Sequence, residues 1–166
     1  MTSETDSTTP RIVGPGDGDI AGAVDGTHDR FLIGGKDSDG RFALVEHTIA
    51  PRELAAPLHL HTREDEYSFV LEGRLGAVLG DHEVFAAPGD LVFKPRGQWH
   101  TFWNAGVTTL RLLELIAPAG LEELFRAFGD AGLPEPEQLA AMAAGYGAEL
   151  DFEATMPIIQ RHDLRF

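Results

Sequence analysis

The sequence predicts a single all-β domain, either a sandwich or a barrel, followed by a short helical appendix. Between residues 11 and 117, short apolar runs alternate with turns that contain glycine or proline, at intervals of about ten residues. This spacing is typical of sandwiches and barrels. After Pro118 the apolar residues recur at helical spacing instead. A chain of 166 residues is long enough for one hydrophobic core and short for two domains.

Five apolar segments carry the predicted strands. In chain order they are RFALVEHTIA (41–50), EYSFVLEG (66–73), RLGAVLGDHEVFAAPGD (74–90), LVFKPRGQWHTFWN (91–104) and TTLRLLELIAP (108–118). The third segment contains Gly80 and Asp81, a pair typical of a turn, so it is expected to form two strands. No internal repeat, heptad run or linker divides the chain. We therefore expect one β-barrel domain over residues 11–117.

Both ends of the chain are expected to lie outside this domain. Two helices are predicted within residues 118–147, because apolar residues there share helical faces and Pro136 suits a first helical turn. The first helix is indicated by Leu121, Leu124, Phe125 and Phe128, with Gly129 at its end. Residues 148–166 show too little pattern for an assignment and are expected to form a C-terminal tail. Residues 1–10 are polar and acidic, as is typical of a disordered tail.

Composition argues against several classes of partner and site. The formal net charge is −14, from 27 acidic and 13 basic residues, and it repels nucleic acid and anionic membranes. No segment approaches the ~18 consecutive apolar residues of a membrane span, so we expect no membrane partner. The polar N-terminus lacks the features of a signal peptide, which makes a cytoplasmic location the expectation. Because the chain has no cysteine, any metal must bind to nitrogen and oxygen ligands.

A first candidate site lies in the segment PLHLHTREDEYSFVLEG (57–73). On a strand, His59 and His61 point to the same face, where two imidazoles can bind one divalent ion. Glu66 is the carboxylate expected to join them, because it opens an apolar strand that can fix it by packing. Glu64, by contrast, is expected to face water. The pattern alone is weak evidence, since two surface histidines on an edge strand would have the same spacing.

A second segment, GDLVFKPRGQWHTFWN (89–104), makes the pattern specific. The first segment resembles the first cupin motif (His-x-His, four residues, Glu, six residues, Gly), and the second resembles the second cupin motif at the family's spacing. The matching residues are His59, His61, Glu66 and Gly73 in the first, and Gly89, Pro95, Gly97, His100 and Asn104 in the second. One position departs from the family pattern, since Glu53 stands where a turn glycine is expected. The chain is most similar in outline to small single-domain, metal-binding cupins of the bacterial quercetin-dioxygenase-like group.

This resemblance implies a cupin-type jelly-roll β-barrel whose interior holds one metal ion, bound by His59, His61, Glu66 and His100. Three imidazoles and one carboxylate suit iron, manganese, nickel, cobalt, copper or zinc. Four protein ligands leave one or two coordination positions open, as catalysis requires. In the quercetin-dioxygenase-like group the ligand carboxylate also takes the substrate's proton, which makes Glu66 the expected catalytic residue. The resemblance further implies a homodimer, because cupin sheets often pair through their outer faces.

The substrate pocket is indicated by strand alternation only. Around His100, alternation places Gln98 at the rim and Phe102 in the wall of the pocket, although Phe102 would equally serve as barrel filling. Glu114 and Glu46 interrupt apolar strands and lie either near the pocket or at an exposed edge, and the exposed edge is the simpler expectation. The other histidines lack a partner at ligand spacing and are expected to have surface or core roles: His28, His47, His82 and His162.

Three functions remain open at this point. The expected one is a metal-dependent dioxygenase that uses O2 on an enolisable or aromatic small molecule. A non-redox metal enzyme, such as an isomerase, decarboxylase, cyclase or lyase, would use the same ion as a Lewis acid. An inward basic residue would favour that second function, but none is obvious among the candidates near the motifs, Arg52, Arg63, Lys94 and Arg96. A non-catalytic ligand-binding domain is the third option, and the complete ligand set argues against it.

Overall fold

The structure, a computed structural model, describes residues 9–22, 26–128 and 134–166. Its strands are β1 (Asp19–Gly22), β2 (His28–Ile33), β3 (Ala43–Ile49), β4 (Leu58–His61), β5 (Asp65–Glu72), β6 (Leu75–Leu79), β7 (His82–Ala86), β8 (Leu91–Lys94), β9 (His100–Asn104), β10 (Leu110–Ala117) and β11 (Ala148–Asp151). Its helices are α1 (Glu122–Phe128), α2 (Pro136–Gly145) and α3 (Phe152–His162). The predicted disordered tail falls mostly on residues 1–8, outside the described residues, and so does the predicted helix end at Gly129.

The strands form two antiparallel sheets that pack against each other. One sheet has the order β1-β2-β3-β10-β5-β8 and the other has the order β11-β4-β9-β6-β7. Strands distant in sequence are neighbours in space, as where β10 lies between β3 and β5. This crossing of the chain between two sheets is the jelly-roll arrangement. The predicted fold class, an all-β jelly roll with a helical appendix, is confirmed.

Alternation along the strands sends apolar side chains between the sheets. In β10, every second residue from Leu110 to Ile116 is fully buried, and the residues that alternate with them are partly exposed. Val70 on β5 and Leu75 on β6 share one core with Leu110 and Leu112. Burying each such side chain stabilises the fold by roughly 1.5–3 kcal/mol. A one-residue slip would move this whole set to the surface, so the core also fixes the strand register.

The C-terminal residues differ most from the expectation. Residues 148–166, expected to form a tail, instead form β11 and α3, and β11 extends the second sheet by pairing with β4. The side chain of Asp151 caps α3, because its Oδ1 accepts a hydrogen bond from the Ala154 amide at 2.8 Å. The Leu58 amide donates to Thr155 Oγ1 at 2.8 Å, which ties α3 to β4. A strand of four residues shows little local pattern because its stability comes from the partner strand.

The surface of the first sheet keeps several large apolar side chains exposed. They include Ile20 on β1, Phe69 on β5, and Leu91 and Phe93 on β8. The homodimer implied by the sequence resemblance stays a prediction. Among the described residues, no helix is both long and apolar enough to cross a membrane.

Gly76 on β6 makes room for the indole of Trp103, which lies opposite it on β9. The indole is buried with Leu54, Ile158 and Leu164. A β-carbon at position 76 would lie 2.4 Å from Cε2 of Trp103. We predict that Gly76→Ala destabilises the protein by about 1–3 kcal/mol, because the indole or the strand must shift. The free energy of unfolding in urea measures this effect.

Gly145→Ala is the matched control for this substitution. A β-carbon at Gly145, the last residue of α2, meets no atom within 4 Å. Alanine there should leave the free energy of unfolding unchanged, or raise it by up to about 1 kcal/mol. If the two variants were equally stable, the close packing of Gly76 against Trp103 would not be a constraint on this fold.

Candidate metal centre

The four side chains of the predicted ligand set converge between the two sheets. His59 and His61 lie on β4, and His100 lies on β9 directly opposite His59. Glu66 reaches the same point from β5 in the other sheet. One nitrogen or oxygen atom from each residue lies within 4.8 Å of the others, and all four side chains are buried. The fold thus gathers three imidazoles and one carboxylate, which we call the ligand cluster, around a common point.

Backbone carbonyls orient two of the imidazoles. Nδ1 of His59 lies 2.7 Å from the carbonyl oxygen of Pro57, and Nδ1 of His100 lies 2.9 Å from that of Gln98. When Nδ1–H donates to a carbonyl, Nε2 is left as the nitrogen that can bind a metal. Neither nitrogen of the buried His61 makes a well-aligned hydrogen bond, although its Nε2 lies 3.3 Å from Oε2 of Glu66. A buried imidazole without a full hydrogen bond is costly, and a metal ion would supply a partner for it.

The charge state of the cluster also fits a metal. Burial, together with the neighbouring rings of His100 and His61, holds the pKa of His59 well below its usual value. Burial alone would raise the pKa of Glu66, but Lys94 and the two histidines hold it well below the usual range. Neutral imidazoles and an ionised carboxylate are the forms that bind a cation. The residues present therefore fit a divalent transition metal ion.

Lys94, at the end of β8, is a buried cation beside the ligand cluster. Its Nζ lies 3.2 Å from Glu66 Oε2 and 3.0 Å from Glu114 Oε2. It also lies 4.5 Å from the centroid of the Phe102 ring. Ser68 Oγ donates to the same Glu114 oxygen at 2.7 Å. The expectation that no basic residue near the motifs points inward is therefore wrong for Lys94.

The alternation of residues in β8 allowed Lys94 to point inward, but it did not say which face of the strand is buried. Val92 and Lys94 are buried on one face, whereas Leu91 and Phe93 are exposed on the other. Hydrophobicity favours the opposite assignment, since the exposed pair is the more apolar one. Burial alone would lower the pKa of Lys94, but the two nearby carboxylates raise it above its usual value. The ammonium stays charged because of partners that lie on other strands.

A cavity of about 520 Å³ opens beside the ligand cluster. His59, His61 and Glu66 form part of its wall. Apolar side chains from α1, α2 and the residue before α1 form another part, namely Leu121, Leu124, Phe125, Phe128 and Leu139. The volume lies within the ~300–1,000 Å³ of small-molecule pockets. The cavity can therefore hold a largely apolar small molecule in contact with the cluster.

Of the four residues predicted for the substrate pocket, one lines the cavity and three do not. Phe102 lines the cavity, whereas Gln98, Glu114 and Glu46 are not part of its wall. Gln98 acts through its backbone, since its carbonyl oxygen accepts the Nδ1–H of His100. Strand alternation therefore predicted correctly that Phe102, two positions after His100 on β9, faces the cavity. It failed for Gln98 because that residue lies in the turn before β9, where alternation does not apply.

Three carboxylates that were expected at the surface are buried. Glu114 is only 1% exposed and Glu46 is 7% exposed. Glu46 is paired with Arg30 at 2.8 Å and with Arg111 at 3.1 Å. Glu64 is 4% exposed, and burial raises its pKa. The burial of Glu114 and Glu46 could not be predicted from the sequence, because the cations that neutralise them come from other strands.

A family model described as a cupin domain matches residues 45–116. That range contains both sequence motifs and the whole ligand cluster. The chain belongs to the cupin superfamily. The Glu53 departure leaves the cluster intact, as expected for a position that serves a turn.

This cupin is 26% identical over 130 residues to the quercetin 2,3-dioxygenase of Bacillus subtilis, an alignment that covers 78% of this chain and 38% of that protein. It is 36% identical over 107 residues to the oxidoreductase iacF of Pestalotiopsis fici, covering 61% of this chain and 47% of that protein. The cupin thus spans less than half the length of either relative. Among solved structures it is similar to the polyketide cyclase RemF from Streptomyces resistomycificus, with a TM-score of 0.56 and 31% identity over 66% of this chain and 80% of that chain.

Proposed function

We propose that this cupin is a metal-dependent dioxygenase that acts on an enolisable or aromatic small molecule. The observation that carries the proposal is the buried cluster of three imidazoles and one carboxylate in the wall of an apolar cavity. His59, His61, Glu66 and His100 would hold one divalent transition metal ion. Similarity to a quercetin 2,3-dioxygenase and to a second oxidoreductase supports oxidative chemistry.

Each side chain of the proposed site has a separate task. When bound, the ion would supply a positive charge that stabilises a substrate oxyanion. Glu66 would accept the proton of the substrate, and Lys94, 3.2 Å from its Oε2, keeps the carboxylate ionised before the transfer. Phe102 offers a flat apolar face to an aromatic ring. The apolar walls exclude water, which strengthens the electrostatic interactions inside.

A non-redox metal enzyme is the second candidate, acting as an isomerase, decarboxylase, cyclase or lyase. Two observations favour it, namely the inward Lys94 and the similarity to the polyketide cyclase RemF. However, Lys94 Nζ is paired with Glu66 and Glu114 and does not line the cavity. It is therefore poorly placed to bind a substrate carboxylate directly. For this reason we prefer the dioxygenase. A non-catalytic ligand-binding cupin is the third candidate, and the complete cluster disfavours it.

The test begins with elemental analysis of the purified protein. We expect about one iron, manganese, nickel, cobalt, copper or zinc ion per chain. Oxygen consumption is then measured with a panel of flavonols and other enolisable compounds, for each metal found. Oxygen uptake that requires both the metal and the substrate is the expected result.

Two other outcomes would redirect the assignment. Stoichiometric metal without oxygen uptake on any substrate would overturn the dioxygenase and favour non-redox chemistry. No metal after reconstitution with each candidate ion would overturn both metal-enzyme proposals. A variant that lacks His100 provides the metal-free comparison and is considered in the Discussion.

A further inference from the structure

His47, which is buried, and Asp29, which is partly exposed, form a pair in the wall of the cavity. They lie opposite each other on β3 and β2, and Nδ1 of His47 is 2.5 Å from Oδ1 of Asp29. Both line the cavity that also contacts the ligand cluster. A surface or core role was expected for His47, because it has no partner at ligand spacing in the sequence, and Asp29 lies 18 residues earlier in the chain. The fold instead brings an acid–imidazole pair, here called the dyad, to the substrate cavity.

Aromatic rings hold the imidazole of His47 in place. Its centroid lies 6.1 Å from that of Phe102, and Phe125 packs edge-on against it at 5.6 Å. Phe102 also contacts Lys94, which in turn contacts Glu66. A molecule in the cavity would therefore meet two groups that can exchange protons, Glu66 and His47. Phe102 lies between them, because it contacts the His47 ring and also Lys94, the partner of Glu66.

The two nitrogens of His47 have different tasks. Nδ1 is engaged by Asp29, which leaves Nε2 to exchange a proton with a molecule in the cavity. The charged groups that act on the ring are Asp29 from β2, Glu114 from β10 and Lys94 from β8. Burial alone would lower the pKa of His47, but the two carboxylates raise it above its usual value, against the opposing charge of Lys94. The imidazole is therefore a stronger base than one in water.

We infer that His47, positioned by Asp29, is a second proton-transfer residue of this site, which accepts the proton of a substrate hydroxyl group other than the one facing Glu66. The inference rests on the proposed function, since it takes the substrate to be a hydroxylated aromatic or enolisable molecule. In this step the substrate O–H bond breaks and its electron pair stays on oxygen. The proton forms an N–H bond with His47 Nε2, and Asp29 stabilises the resulting imidazolium. The proton later returns to the product.

The experiment uses zinc-loaded protein without oxygen, because zinc has no redox chemistry of its own. The probe is 3,7-dihydroxyflavone, which carries a second hydroxyl group besides the 3-OH, and ionisation of either hydroxyl moves its absorption to longer wavelength. His47→Phe keeps a ring between the neighbouring aromatics, and His47→Gln is the second variant in case the first is unstable. His82→Phe, at an exposed position on β7, is the matched control. We expect the fraction of bound probe whose second hydroxyl is ionised to fall at least about tenfold in both His47 variants, with zinc content unchanged, and to stay at the wild-type level in the control.

Asp29→Asn tests the positioning residue through a pH profile. Loss of the carboxylate weakens His47 as a base, so ionisation of the bound probe should shift to higher pH without a change in zinc content. A purely structural role for Asp29 would alter thermal stability and leave this profile in place. An unchanged profile in Asp29→Asn would overturn the positioning role.

The outcomes separate this inference from the proposed function. If the His47 variants ionise the bound probe as wild type does, the inference is overturned and the dioxygenase proposal still stands. If wild type binds the probe with its second hydroxyl still neutral, or does not bind it, the inference is overturned as well. If ionisation depends on His47 but no metal supports oxygen uptake, the inference stands and the dioxygenase proposal fails. With an active metal, the His47 variants should lose about 100-fold or more in kcat.

Discussion

Replacing His100 by alanine is expected to abolish metal loading, or to weaken metal affinity by more than about 100-fold. The substitution removes one of three imidazoles from a cluster in which His100 Nε2 lies 3.1 Å from Glu66 Oε2 and the His100 ring packs 4.3 Å from that of His59. The two histidines that remain come from one strand, β4, so an ion would lose its only nitrogen ligand from β9. Elemental analysis after incubation with each candidate metal measures the effect.

The β fold should survive this substitution. His100 lies between the two sheets, but the apolar core around Val70, Leu75 and Leu112 contains none of the four residues of the ligand cluster. Far-UV circular dichroism should therefore match that of the wild type. His82→Ala, which removes an exposed histidine from β7, should retain full metal content. Wild-type metal content in His100→Ala would show that the ion binds elsewhere.

Replacing Lys94 by methionine is expected to destabilise the metal-free protein by about 3–5 kcal/mol. Lys94 is the cation that neutralises two buried carboxylates, at 3.2 Å from Glu66 and 3.0 Å from Glu114. Methionine fills a similar volume but leaves both negative charges without their cation in the interior. Urea unfolding of the metal-free protein measures the loss. Metal loading should reduce it, because a bound ion would neutralise Glu66.

The other lysine of the chain provides the matched control for this prediction. Lys36 is exposed, and Lys36→Met should change the free energy of unfolding by less than about 0.5 kcal/mol. Combining Lys94→Met with Glu114→Gln should restore part of the lost stability, because one of the two uncompensated charges is removed. If Lys94→Met were as stable as Lys36→Met, Lys94 would not be needed to balance the buried carboxylates.

The sequence predicted the fold class, which the structure confirms, and a candidate ligand set, whose four side chains the structure brings together. Period-two alternation sets the strands, because successive side chains on a strand point to opposite faces. His59 and His61, two residues apart, therefore share a face wherever their strand is placed. The inward direction of His100 was implied by the resemblance of residues 89–104 to the second cupin motif, in which Gly89, Pro95 and Gly97 stand at the family's spacing from it. Identification of the cupin family required no knowledge of the tertiary structure.

Only the tertiary structure decided which charged groups lie inside and what neutralises them. Lys94, Glu114 and the His47–Asp29 dyad each depend on a partner from another strand. A lone charged residue in a sequence indicates the surface, because burying an unpaired charge is prohibitive. Pairing removes that penalty, and pairing across strands is set by sheet order and register. For the same reason β11 was missed, since a strand of four residues is defined by the edge of β4 that it completes.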